Sequence, residues 1–179
     1  MESERALVSL LVKKGISRVR AELLVKPVKA TPKSEIELSS TLFGEIQVKK
    51  SSSTEVPYFV ASIMERNGLL EISNSELSEK NLKMLSWNEK YKETKLSSLP
   101  ENFYLLAQEA LLNMKDKKID SLVIEIVSLR IKKILRYLVL PSIPSEVISS
   151  FSPEEKYLFY LLREVIGSWQ REVLGIGAR

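Results

Sequence analysis

The strongest constraint on this chain is the width of two apolar helical faces in its second half. Set at 100° per residue, Ile119 to Leu140 gathers Ser121, Glu125, Ser128, Lys132 and Arg136 into one narrow wet arc. Ile119, Val123, Ile126, Ile134 and Tyr137 lie opposite, and Ile124, Val127, Ile131, Leu135 and Leu138 widen the apolar surface on one flank. A surface helix needs an apolar stripe of about 100°, and this one offers far more. The last helical stretch, 153–174, is loaded in the same way, from Tyr157 and Phe159 through Leu162 and Ile166 to Trp169 and Leu174. The first segment alone could be a central helix covered by its own domain. In a domain of about four helices, two such faces are not both covered internally. Large apolar patches mark protein contacts, and tyrosine and tryptophan are enriched in them. The pattern predicts obligate association, with Ile131, Leu135, Leu138, Phe159, Leu162, Ile166 and Trp169 as the interface anchors.

Arg130 breaks the apolar face, projecting between Val123, Ile126 and Ile134. An unpaired buried charge costs several kcal/mol, so Arg130 is expected to be a structural buried charge paired with a carboxylate and backbone carbonyls. Glu101, Glu109 and Glu154 are the candidates that sequence offers, and spacing does not choose among them.

Composition removes several classes of function. The 179 residues contain no histidine and no cysteine. That excludes histidine-based triads, thiol chemistry and ordinary structural zinc, which depend on those side chains. The carboxylate pairs Glu154-Glu155 and Glu76/Glu79 fall in helix first turns, where acids stabilise the helix dipole. The six glycines are scattered, so no phosphate-cradling loop is present. No catalytic residue, cofactor or metal site is expected. No stretch approaches the roughly 20 apolar residues of a membrane span, and no signal peptide is recognisable, so the expectation is a soluble cytoplasmic protein.

Along the chain, Glu4 to Lys14 reads as a short helix closed by Gly15. Arg20–Val25 and Phe43–Val48 read as strand-like runs, and Pro57 opens a helix that reaches Asn67-Gly68 before Leu69–Ile72 turns extended. Pro27, Thr31-Pro32 and Ser39-Ser40 separate the two strand-like runs, and no role is assigned to the segment 26–41. Ser73 with Glu76, Ser98 with Glu101 and Ser152 with Glu155 have capping-box spacing, the last followed by Pro153. These starts predict helices near 76–96, 100–115 and 153–174, with a less clearly capped one near 119–140. The fold class expected is α+β, a small N-terminal β-rich domain over 1–72 followed by a larger α-helical bundle domain over 73–179.

The runs Val56-Pro57-Tyr58-Phe59-Val60-Ala61 and Gly68-Leu69-Leu70-Glu71-Ile72 resemble segments of the GINS replication complex. So do Leu99-Pro100-Glu101-Asn102-Phe103-Tyr104 and Leu129-Arg130-Ile131-Lys132-Lys133-Ile134-Leu135. GINS subunits differ in whether the small β domain follows or precedes the helical one. Here it precedes, which resembles the archaeal subunit of the second/third-partner type. The resemblance implies a non-catalytic scaffold in DNA replication, assembled with the second class of GINS subunit as a 2:2 heterotetramer. It further implies contact with the MCM helicase and a RecJ-like partner, links to primase or polymerase, and a nucleoid-associated location at replication forks.

A basic single-stranded nucleic-acid-binding module is the competing expectation. The net charge is +4, and Lys13, Lys14, Arg18 and Arg20 form one basic cluster, Arg130, Lys132, Lys133 and Arg136 another. Neither interleaves aromatic side chains as stacking platforms do, so solvated charged faces are the plainer reading, with weak DNA contact left open.

Overall fold

The computed structural model describes residues 2–33, 36–41, 44–48, 53–73, 77–92, 95–100, 102–113, 116–140 and 142–175. The chain is α+β and divides into two compact units, one of residues 20–76 and one of residues 1–19 with 77–179. The division therefore differs from the expected 1–72 and 73–179, because the N-terminal residues group with the helical unit.

The cause lies in the first helix. Helix α1 runs Glu2–Leu24 and passes straight through Gly15. Gly15 does not cap it. A Cβ at this position would collide with the ring of Tyr157, so the glycine serves a close approach rather than a turn. Tyr157 also donates its hydroxyl proton to the Leu11 carbonyl at 2.8 Å. The strand-like reading of residues 20–25 is corrected as well, since residues 20–24 continue α1. Arg20, Ala21, Glu22, Leu23 and Leu24 are all good helix formers, and that preference outweighs the short apolar run.

In the smaller unit, β1 (Pro27–Pro32) is the middle strand of an antiparallel sheet between β4 (Thr54–Pro57) and β5 (Leu70–Ile72). Its two prolines stand at the strand ends, where a missing donor is tolerated. Strands β2 (Ile36–Thr41) and β3 (Gly44–Val48) form a separate antiparallel pair. Phe43, at the start of the expected strand-like run, lies outside the described residues. Helix α2 (Tyr58–Arg66) follows directly on Pro57, which occupies the N-cap position. Tyr58, Ala61 and Met64 face inward with Ala30, Val56, Leu70 and Ile72 as this unit's core. Gly68 adopts φ +70, the left-handed turn that the Asn67-Gly68 pair foreshadows.

The helical unit is built on α5 (Lys117–Leu138), with α3 (Glu79–Tyr91), α4 (Phe103–Asn113), the short α6 (Ser145–Ser149) and α7 (Pro153–Leu174). Helix α7 has the predicted limits. Its capping box is complete, Pro153 opens the first turn, and Gly175 closes it at φ 64. The other starts shift. Ser78 rather than Ser73 caps α3, accepting from the Asn81 amide at 3.3 Å. Asp116 caps α5, accepting from the Lys118 amide at 2.8 Å. Glu76 and Glu101, the expected acidic halves of two capping boxes, lie outside the described residues. Asn102 precedes α4 at φ 57, a left-handed conformation that asparagine tolerates. No described helix is long and apolar enough to cross a membrane.

Two apolar clusters sit along α5. Val123 and Ile126 join Leu82, Leu85, Phe103 and Ala107 in one. Ile134 and Leu138 join Phe151 and Phe159 in the other. Between them, one turn of α5 carries Arg130 and Lys133.

Candidate assembly interface

The inner side of α5 is closed by a charged layer. Arg130 is fully buried, and all five of its N–H donors are used, the complete capacity of a guanidinium. Its Nε donates to Glu155 Oε1 at 2.6 Å, and Nη2 donates to Glu155 Oε2 at 2.8 Å and to the Ser150 carbonyl at 3.4 Å. Its Nη1 donates to Glu89 Oε1 and to the Ser97 carbonyl, each at 2.7 Å. Lys133 is also buried, donating to Glu89 Oε2 at 2.6 Å and to the Lys95 carbonyl at 2.9 Å. The Tyr104 hydroxyl donates to Glu155 Oε1 at 2.8 Å, and the Ser97 amide to Glu89 Oε1 at 2.8 Å. Two cations face two carboxylates, so the layer is neutral as a whole.

Burial opposes the charge on Arg130, but hydrogen bonding and attraction from Glu155, then Glu89, outweigh it and hold the pKa above its ordinary value. Partial burial pushes the Tyr104 hydroxyl well above the usual phenol range, and the Glu155 carboxylate adds to the shift. With every donor of Arg130 committed to protein, the layer offers no hand to a ligand. It is a structural lock joining α3, α4, α5 and α7.

The expected partners of Arg130 are corrected here. Glu89 and Glu155 hold it, Glu101 lies outside the described residues, and the Oε2 of Glu154 accepts from Ser152 Oγ at 2.9 Å. Glu155 does two tasks, completing the α7 capping box through the Ser152 amide at 2.9 Å while clamping Arg130. The second basic cluster is thereby dismantled, because Arg130 and Lys133 are neutralised inside the unit.

The outer side of α5 is the reverse. Ile124, Ile131 and Leu135 lie within about 40° of one another at helical spacing, and all three are exposed, Leu135 by 45%. On α7, Val165, Trp169 and Val173 repeat every four residues and are exposed, Trp169 by 63%. Every residue from Ser168 to Gly175 is exposed, so the last two turns of α7 have no core of their own beneath them. Residues 3–14 of α1 are likewise exposed throughout, including Leu7, Val8, Leu10 and Leu11.

Of the seven expected anchors, the structure places Ile131, Leu135 and Trp169 on the surface. Leu162 and Ile166 are half-buried against the second apolar cluster. Leu138 and Phe159 are corrected. Both are buried in that cluster, Phe159 completely and in edge-to-face contact with Phe151 at 5.4 Å, so their area is already removed from water. Ile124, Val165, Val173 and the apolar residues of α1 are also exposed, although they are not among the expected anchors. For Ile124, its spacing of seven from Ile131 was the available signal.

A second exposed group was also missed. Met84, Trp87 and Tyr91 occupy the outer face of α3, opposite its buried Leu82, Leu85, Ser86 and Glu89.

The family described as Sld5, GINS complex protein helical bundle domain, matches residues 76–174, more than half of the chain. No curated protein matches the chain.

Proposed function

The chain belongs to the GINS complex family, and from that premise we propose that it is a non-catalytic scaffold subunit that completes its helical unit against other GINS subunits. Membership makes it a GINS complex subunit of DNA replication. The finer reading is a 2:2 heterotetramer with the second subunit class, of the archaeal kind in which the small β domain comes first. That tetramer would support the MCM helicase, with a RecJ-like partner and primase or polymerase as further contacts.

One observation carries the reading. The outer stripe of α5 and the coreless end of α7 expose Ile124, Ile131, Leu135, Val165, Trp169 and Val173 in ordered helices. Helices in water are stabilised mainly by packing an apolar face, and two unsupported turns of α7 gain little from intrinsic propensity. A partner helix laid along both would remove that area from water.

The test is the mass of the mixed complex by light scattering, with Ile131 and Leu135 both replaced by aspartate. The chain mixed with the other GINS subunit is expected at the heterotetramer mass, and the variant as a folded lone chain. A variant that assembles at full mass would remove these positions from the interface.

A further inference from the structure

Helix α3 presents a surface unlike the aliphatic stripe of α5. Its core side holds Leu82, Leu85, Ser86 and Glu89, while Met84, Trp87 and Tyr91 stand on the opposite side within about 60° of one another. Trp87 is 59% exposed and Tyr91 64%. Their ring centroids are 3.9 Å apart with planes inclined by 32°, so the two rings form a stacked step directed outward. Lys80 lies on the same face, one turn before Met84, and Lys92 follows Tyr91; both are exposed. Lys83 and Lys90 border the face, each engaged by a carboxylate, Glu79 at 2.6 Å and Glu125 at 2.7 Å. Over residues 79–95 the sequence has five lysines against three glutamates, and one of the three, Glu89, is spent inside the charged layer.

We propose that this face of α3 is a contact site for single-stranded nucleic acid, with Trp87 and Tyr91 stacking bases and Lys80 and Lys92 meeting phosphates. Protein interfaces share the enrichment in aromatics but are depleted in lysine. Here the aromatics are bracketed by lysines along one helix. Every base has a π-face, so an exposed aromatic step flanked by cations binds a strand without reading its sequence. The two basic clusters visible in the sequence lack this arrangement. The site depends only on α3 and stands whether or not the α5 and α7 faces assemble as proposed.

The emission test uses the full chain carrying Trp169→Phe, which leaves Trp87 as its only tryptophan, and the affinity and mass tests keep Trp169. Titration with a short oligothymidylate is expected to quench Trp87 emission. Anisotropy of the labelled oligonucleotide should show at least about a tenfold loss of affinity in Trp87→Ala/Tyr91→Ala, with Trp87→Phe retaining binding. Lys80→Ala should lower the log–log salt slope by about 0.7. Both aromatics are on the surface, so circular dichroism should be unchanged. Three outcomes would overturn the proposal. These are emission unaffected by the oligonucleotide, undiminished binding by the double alanine variant, or a lower mass of that variant with the other GINS subunit, which would make the face a protein contact.

Discussion

The two sides of α5 invert the usual order of a surface helix. Its inner side buries Arg130 and Lys133, while about 140° around the helix from Arg130, Leu135 meets water. The comparison separates two kinds of side chain that look misplaced. The inner charges are costly to bury but fully partnered, so the protomer alone accounts for them. The outer aliphatics are exposed and contribute little to the protomer's core, and the proposed assembly would account for them. Burial without satisfaction would mark an error of packing, and exposure without function would mark an aggregation hazard. Around Arg130 and Leu135 this helix shows neither pattern once it is read, as proposed, as half core and half contact.

The largest effect expected on the inner side comes from Arg130→Met. It leaves Glu89 and Glu155 buried with only Lys133 and neutral donors, and breaking a buried pair this way costs about 3–5 kcal/mol. Urea denaturation of the isolated chain would measure it, and a loss below about 1 kcal/mol would mean that the layer relaxes or hydrates without cost. The second test sets core against contact. Phe159→Ala should cost about 3–5 kcal/mol, and Leu135→Ala should stay within about 0.5 kcal/mol in the lone chain. Equal losses would erase the distinction between the two sides.

A smaller effect is expected at the α7 cap. Ser152→Ala removes the acceptor for the Glu155 amide, at 3.2 Å, and should cost about 1 kcal/mol. If Glu155 also loses its aim at Arg130, the cost rises above that of an ordinary cap, and a double-mutant cycle with Arg130→Met would read the coupling. The smallest effect concerns Tyr104. Its folded pKa is raised, so the neutral phenol is favoured in the folded state. The stability it contributes is present below the ordinary phenol value of about 10 and declines as pH rises beyond it. Of the six tyrosines, Tyr104 at least should resist ionisation in the phenolate absorbance band until the chain unfolds. Full titration of all six in the folded protein would contradict this.

Much of this organisation is legible in the sequence, for reasons that differ from element to element. Helix α7 was readable to the residue because Ser152, Pro153, Glu155 and Gly175 each act through local backbone chemistry. The excess apolar surface was readable from periodicity. Its division into core and contact was not, because Leu138 and Leu135 differ only by which neighbouring elements reach them. The pairing of Arg130 with Glu89 spans 41 residues of sequence, and no local pattern encodes such a distance. Gly15 misled because a glycine after an apolar helix is usually a cap, and only the Tyr157 ring reveals its packing role. Trp87 and Tyr91 did not stand out because a tryptophan and a tyrosine four apart on a helix do not by themselves say whether their face is buried.

Hydrogen exchange at the end of α7 tests the central claim most directly. Residues 168–174 have no core beneath them in the protomer, so their amides should exchange fast in the lone chain. On addition of the other GINS subunit, those amides should become strongly protected while the Arg130 region, already locked, changes little. Fast exchange that persists at 168–174 within a stable complex would contradict the account.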